Sequence, residues 1–116
     1  MSAETGVVRQ IRLAKNEALF REVNERIEQI AEQWGSGDDP FNFVCECSHA
    51  DCAAQIELSR TAYEHVRAHP ARFVVASGHE VLEVDKVTDT LGRYVIVEKV
   101  GAAEVVALAT DPRMNN

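Results

Sequence analysis

Three cysteines fall within a short stretch of this chain, at Cys45, Cys47 and Cys52. Three such close cysteines cannot all pair in disulfides, and the cluster suits metal or redox chemistry in a reducing compartment. Residues two apart on an extended strand point to the same face, so the sulfurs of Cys45 and Cys47 can converge. A turn of four residues then returns Cys52 to them. The spacing therefore predicts three thiolates around one point.

Three thiolates leave one position of a tetrahedral zinc site to be filled, and two histidines are candidates. With His49, all four ligands would lie within residues 45–52, and the metal would cross-link that loop only to itself. His79 would tie the cysteine hairpin to the loop after a later strand, and Gly78 permits the turn that presents its ring. We favour His79 and keep His49 as the alternative. The predicted cofactor is Zn²⁺, and its predicted ligands are Cys45, Cys47, Cys52 and His79.

Two other interpretations of these residue types fit less well. Free cysteines are often small buried apolar side chains, but three so close together, beside polar neighbours, fit that pattern poorly. His65 and His69 stand four apart on a predicted helix, which is a metal-binding spacing, but Val66 stands where a zincin motif needs glutamate. We interpret both histidines as surface groups near the negative end of the helix.

The segment from Val8 to Trp34 has helical periodicity. Its apolar stripe consists of four residues at seven-residue spacing: Leu13, Phe20, Ile27 and Trp34. Val23 and Ile30 follow two of these residues, Phe20 and Ile27, by three positions. We expect the stripe to pack on the protein's own sheet. A homodimer seam and a docking surface for another protein are the alternatives.

The rest of the chain predicts short strands and one short helix. The expected elements are a hairpin of 41–47 and 53–58, a helix over 60–69, a strand over 73–76, and a hairpin of 84–90 and 94–99. The predicted fold class is therefore α+β: a long N-terminal helix, a mostly antiparallel sheet of four or five strands and one short helix, stapled by zinc. The expected domains are an N-terminal helix and loop (1–40), a zinc-binding core (41–100) and a C-terminal tail (101–116).

Composition limits the partners of the chain. Its 116 residues are 46% hydrophobic, which is enough for a core without disulfides. The net charge is −7 and neither 1–40 nor 41–116 is basic, so we expect no nucleic acid and no membrane partner. No signal peptide or spanning apolar stretch is evident, which predicts a cytoplasmic protein. A protein partner or a homodimer through the N-terminal helix is expected instead.

The sequence gives little support to an enzyme. Acidic residues near the cysteines include Glu46, Asp51, Glu57 and Glu80, but their spacing selects none of them. The chain has no glycine-rich phosphate loop and no G-x-S-x-G motif, and a full shell of thiolates weakens zinc as a Lewis acid. We therefore predict a structural zinc-binding interaction module. The alternatives are a thiol-based redox or zinc sensor and a hydrolytic zinc enzyme.

One resemblance adds to this interpretation. The segment from residue 19 to 99, with its C-x-C-x4-C cluster, Ile56-Glu-Leu-Ser59, Gly78-His79-Glu80 and Tyr94-Val-Ile-Val-Glu-Lys99, resembles small uncharacterised proteins of actinobacteria. The resemblance implies a cytoplasmic bacterial protein with a similar arrangement of cysteines and Gly-His. It implies no mechanism. Ser59-Arg60 stands where the family opens its short helix with threonine and proline, a difference that concerns the helix cap alone.

Overall fold

The structure is a computed structural model that describes residues 5–34 and 38–114. Three helices and five strands occupy these ranges. In chain order they are α1 (Gly6–Trp34), β1 (Phe41–Val44), β2 (Gln55–Leu58), α2 (Arg60–Arg67), β3 (Arg72–Ala76), β4 (Asp85–Thr90), β5 (Tyr94–Lys99) and α3 (Ala102–Ala109). The predicted α+β fold with a long N-terminal helix is confirmed. Residues 35–37 of the predicted loop after that helix lie outside the described residues.

The five strands divide between two antiparallel sheets. β1 pairs with β2, and β5 lies between β3 and β4 in a second sheet. The cysteine segment joins the sheets, because the backbone amide of Glu46 donates to the carbonyl of Val74 in β3 at 2.9 Å. The free edge of β3 is thereby covered, which removes a site for unwanted strand pairing.

The apolar core lies between the sheets and α2. Phe43 of β1 stacks on Tyr63 of α2 with ring centroids 4.6 Å apart. Valines of β3 and β5 and Phe73 surround this pair, and all of them are buried. Ser59 caps α2, since its hydroxyl accepts a hydrogen bond from the amide of Ala62 at 3.1 Å. The core thus fixes the hairpin that carries the cysteines.

The expected inward packing of the α1 stripe is found at its first three residues and fails at its C-terminal end. Leu13 is buried and Phe20 and Ile27 are partly buried, but Trp34, like Val23 and Ile30, is exposed. The inward face instead combines small and polar residues: Ala14, Glu17, Ala18, Arg21, Asn24, Glu28 and Ala31. The alanines allow close approach, and the polar groups reach partners on other elements.

Arg21 and Asn24 illustrate how polar groups are buried under α1. The guanidinium of Arg21 donates to the carbonyls of Pro70 at 2.7 Å and Ala107 at 2.8 Å. The amide side chain of Asn24 donates to the carbonyl of Val44 and accepts from its N–H, both at 2.8 Å. Hydrogen bonds of this kind offset the desolvation of each polar group, so α1 is held by polar contacts as well as by apolar packing.

A buried ionic triad lies in the same layer. Lys99 of β5 contacts the carboxylates of Glu17 and Asp85, and all three side chains are almost wholly buried. The ammonium group also lies 4.9 Å from the centroid of the Phe73 ring. Burial is the main reason that the pKa of Glu17 is raised, to about 8; Lys99 opposes this rise and Asp85 adds to it.

Helix α3 forms in the segment where we expected a tail. It packs against α1, with Ala103 and Ala107 buried. The sequence predicts this helix only weakly, because Gly101, the residue before the helix, provides no side-chain cap. Among the described residues, no helix combines the length and apolar character needed to cross a membrane.

Candidate metal centre

The cysteine loop follows β1 directly. The amide of Cys45 donates to the carbonyl of Ala54 at 3.0 Å, so hairpin pairing continues past the end of β1. The chain then turns, and the amide of Cys52 donates to the carbonyl of His49 at 3.0 Å. Cys45 and Cys47 are buried and Cys52 is partly exposed, and all three thiols are free. The loop therefore brings its sulfurs together at the edge of the core.

His79 approaches this loop from a turn after β3. The amide of His79 donates to the carbonyl of Ala76 at 2.9 Å, which closes the turn. Gly78 within it has a φ of 89°, a left-handed conformation that suits glycine. Glu80 stabilises the turn by accepting a hydrogen bond from the amide of Gly78 at 2.8 Å. The imidazole is thereby directed toward the sulfurs.

The structure brings all four predicted ligands together. The donor atoms of Cys45, Cys47, Cys52 and His79 lie within 4.8 Å of one another, close enough to hold a metal ion. The Nδ1 atom of His79 is 3.7 Å from the Sγ of Cys45 and 3.6 Å from that of Cys52. His49 is exposed in the turn, and its ring is not part of this group.

Backbone amides surround the sulfurs. The N–H of Ala76 in β3 donates to the Sγ of Cys45 at 3.1 Å. The amides of His49 and Ala54 donate to the sulfurs of Cys47 and Cys52; the first hydrogen bond helps to lower the pKa of Cys47, and the second opposes the rise that burial causes in the pKa of Cys52. Amide donors favour the thiolate over the thiol, so each of these hydrogen bonds would stabilise the charged sulfur that binds a metal. Sequence reasoning missed these donors, because they depend on the local fold and not on side-chain type.

The three thiols influence one another strongly. A hydrogen bond with Cys45 is the main reason that the pKa of Cys47 is lowered to about 4. The same hydrogen bond, followed by burial, raises the pKa of Cys45, and burial raises the pKa of Cys52. The group thus favours one thiolate and two thiols when no cation is bound. A divalent cation would replace the remaining protons.

Glu46, between two of the ligands, points away from the sulfurs and anchors the loop. Its carboxylate accepts hydrogen bonds from the amide of Val74 at 3.0 Å, from Asn24 at 2.9 Å and from the hydroxyl of Tyr63 at 3.1 Å. Burial raises the pKa of this carboxyl group, and the donors from Asn24 and Val74 oppose that rise. Glu46 therefore links the metal loop to α1, α2 and β3.

The other side chains considered from the sequence have other surroundings. Within the described ranges, no carboxylate belongs to the four-donor group. Asp51 and Glu57 are exposed. His65 is exposed on α2, and His69 accepts a hydrogen bond from the amide of Ala71 at 3.2 Å. The two histidines of the i, i+4 pair therefore do not form a second metal site there.

No protein family, curated protein or solved structure matches this chain. The chemistry of the site must therefore be inferred from its own geometry. Three sulfurs and one imidazole nitrogen can complete the coordination of a single ion.

Proposed function

We propose that the chain binds one Zn²⁺ through Cys45, Cys47, Cys52 and His79, and that this ion is structural. The observation that carries the proposal is the spacing of the donors. Tetrahedral zinc, with bonds of about 2.3 Å to sulfur and 2.0 Å to nitrogen, places the two donor types about 3.5 Å apart. The Nδ1 of His79 lies 3.7 Å and 3.6 Å from two of the sulfurs.

The donor set supports zinc over other common metals. Calcium and magnesium prefer oxygen ligands, and no carboxylate joins this group in the described part of the chain. Three thiolates with one imidazole in a tetrahedral arrangement are typical of structural zinc. Four protein donors also fill the coordination shell. A hydrolytic zinc enzyme needs an open position for water, so the donor count favours a structural ion over a catalytic one.

Burial and hydrogen bonding favour a structural role over a redox sensor. Sensor cysteines are accessible and reactive, whereas Cys45 and Cys47 are buried. Each sulfur also accepts a hydrogen bond from a backbone amide, which stabilises the negative charge of the thiolate and so lowers its nucleophilicity. Only Cys52 is partly exposed.

The ion would act as a cross-link. It would tie the cysteine loop to the turn of His79, and Glu46 would transmit that restraint to α1 through Asn24. We infer an interaction module in which zinc holds the loop against the long helix and so stabilises the surface that they form together. Three cysteine thiolates suit the reducing cytoplasm, where disulfides are rare.

Metal analysis of the purified protein tests this proposal. We expect close to one zinc per chain, and a large fall in the thermal midpoint when a strong chelator removes it. Folding energies linked to structural zinc are of the order of 10 kcal/mol, similar to the whole stability of a small domain. Full stability in metal-free buffer, with three titratable thiols, would contradict the proposal.

A further inference from the structure

Several large apolar residues of α1 are exposed, although its inward face carries charged groups. Leu19, Val23, Ile30 and Trp34 are 63%, 44%, 53% and 80% exposed. They form a stripe along one side of the helix, about 22 Å from end to end. Surface helices normally bury their apolar side, so exposed apolar side chains aligned along one side of a helix indicate an interaction surface.

The two ends of this stripe differ in shape. At one end the indole of Trp34 stands exposed. Near the other end lies an apolar depression of about 130 Å³ between α1 and the cysteine loop. The residues that line it are Asn16, Leu19, Phe20, Val23 and Ala50. The same face of α1 thus carries both a protruding aromatic side chain and an apolar depression.

We propose that two copies of this chain pair through this face with their α1 helices antiparallel. A two-fold axis near Ile27 would bring Trp34 of each copy to the depression of the other, so both contacts form at once. Val23 of one copy would then lie near Ile30 of the second. Such an interface is isologous and closes at the dimer. A parallel pair would place indole against indole and leave both depressions empty.

The size and chemistry of the face fit a dimer of modest affinity. Two helices in contact over about 16 residues bury roughly 1,000 Å² in total, the lower limit for a specific interface. Glu22, Arg26 and Gln29 are exposed beside the stripe and give it a polar rim. We therefore expect a dimer that dissociates on dilution.

This inference deepens the proposed function, because Ala50 of the depression lies in the turn between Cys47 and Cys52. The proposed zinc loop would therefore form one wall of the dimer face. Zinc content is measured in every sample to separate the two proposals. A chain that binds zinc but stays monomeric contradicts the dimer alone. A chain that dimerises without zinc contradicts the metal proposal alone.

The first experiment measures self-association of the purified protein over a range of concentrations. Sedimentation velocity should show a concentration-dependent dimer. Trp34, the sole tryptophan, should emit at shorter wavelength in the dimer than after dilution. Ile30→Glu should weaken association at least tenfold, whereas Gln29→Glu, which adds the same charge beside the stripe, should leave it nearly unchanged. A monomer at all concentrations, or equal effects of the two variants, would overturn the proposal.

A second experiment tests the antiparallel arrangement by mixing two variants. Trp34→Ala removes the protruding group, and Ala50→Phe fills the depression. Each variant alone should dimerise weakly, while the mixture should form heterodimers, because the second variant's Trp34 can enter the first variant's open depression. Far-UV circular dichroism confirms that each variant is folded. No gain on mixing would refute the antiparallel arrangement.

Discussion

Replacing His79 with alanine separates a cross-linking metal site from a local loop staple. The ring supplies one of four donors, and structural zinc binding is worth about 10 to 16 kcal/mol in small domains. One quarter of that energy is about 3 kcal/mol, so His79→Ala should lower zinc affinity by roughly a hundredfold. It should also release the turn of His79 from Cys52, a connection of 27 residues in sequence.

The matched control is His49→Ala. Its side chain is exposed and lies outside the donor group, so the change should cost only a few tenths of a kcal/mol, as is usual for surface residues. Zinc affinity is measured by competition with a chromogenic chelator, and stability by thermal unfolding at saturating zinc. If His49→Ala proves more damaging than His79→Ala, the reasoning from donor geometry is wrong and the loop binds metal by itself.

Three further perturbations test how the centre is supported. Burial raises the pKa of Glu17 to about 8 from 4.5, so its stabilising contribution is complete below the lower value and is lost as pH rises through the higher one. Urea unfolding should therefore show that the free energy of unfolding of the wild type falls by up to about 1.4 kcal/mol per pH unit in that window. The dependence on pH should be shallower in Glu17→Gln, and equal dependence in the two proteins would contradict this. Glu46→Ala should cost about 3 kcal/mol, because it leaves three buried donors unpaired, while zinc stoichiometry stays unchanged in the folded protein. Gly78→Ala should lower the free energy of unfolding by about 1 kcal/mol and weaken zinc binding, because the φ of Gly78 is positive. The cost is backbone strain and not a steric clash, since no atom lies within 4 Å of an added Cβ. A neutral result would show that this turn does not restrain His79.

The cysteine spacing and the Gly-His pair made the candidate site predictable. Convergence of Cys45 and Cys47 was predicted from strand alternation, although β1 ends at Val44 and both cysteines lie in the loop that follows it. Gly78 signals a turn after the strand before it. His79 was favoured over His49 because it follows a buried strand and a glycine, so its ring can face inward, whereas His49 lies in a tight turn. Those arguments are local in the chain, and local arguments succeed where the backbone conformation is set by neighbouring residues.

The packing of α1 could not be predicted in the same way. Its seven-residue apolar pattern is equally consistent with packing inward and with packing against a second molecule. The inward face is decided by distant groups, such as the carbonyls of Pro70 and Ala107 that receive Arg21. Lys99, which contacts Glu17, is likewise far away in sequence. Partners of that kind exist only once the whole fold has formed.

The central claim is that three sulfurs and one imidazole hold a single zinc ion. X-ray absorption at the zinc edge of the purified protein tests it most directly. We predict three sulfur neighbours at about 2.3 Å and one nitrogen neighbour at about 2.0 Å, with imidazole scattering in the outer shells. A shell dominated by oxygen or nitrogen, or one without imidazole, would contradict the assignment of Cys45, Cys47, Cys52 and His79 as the ligands.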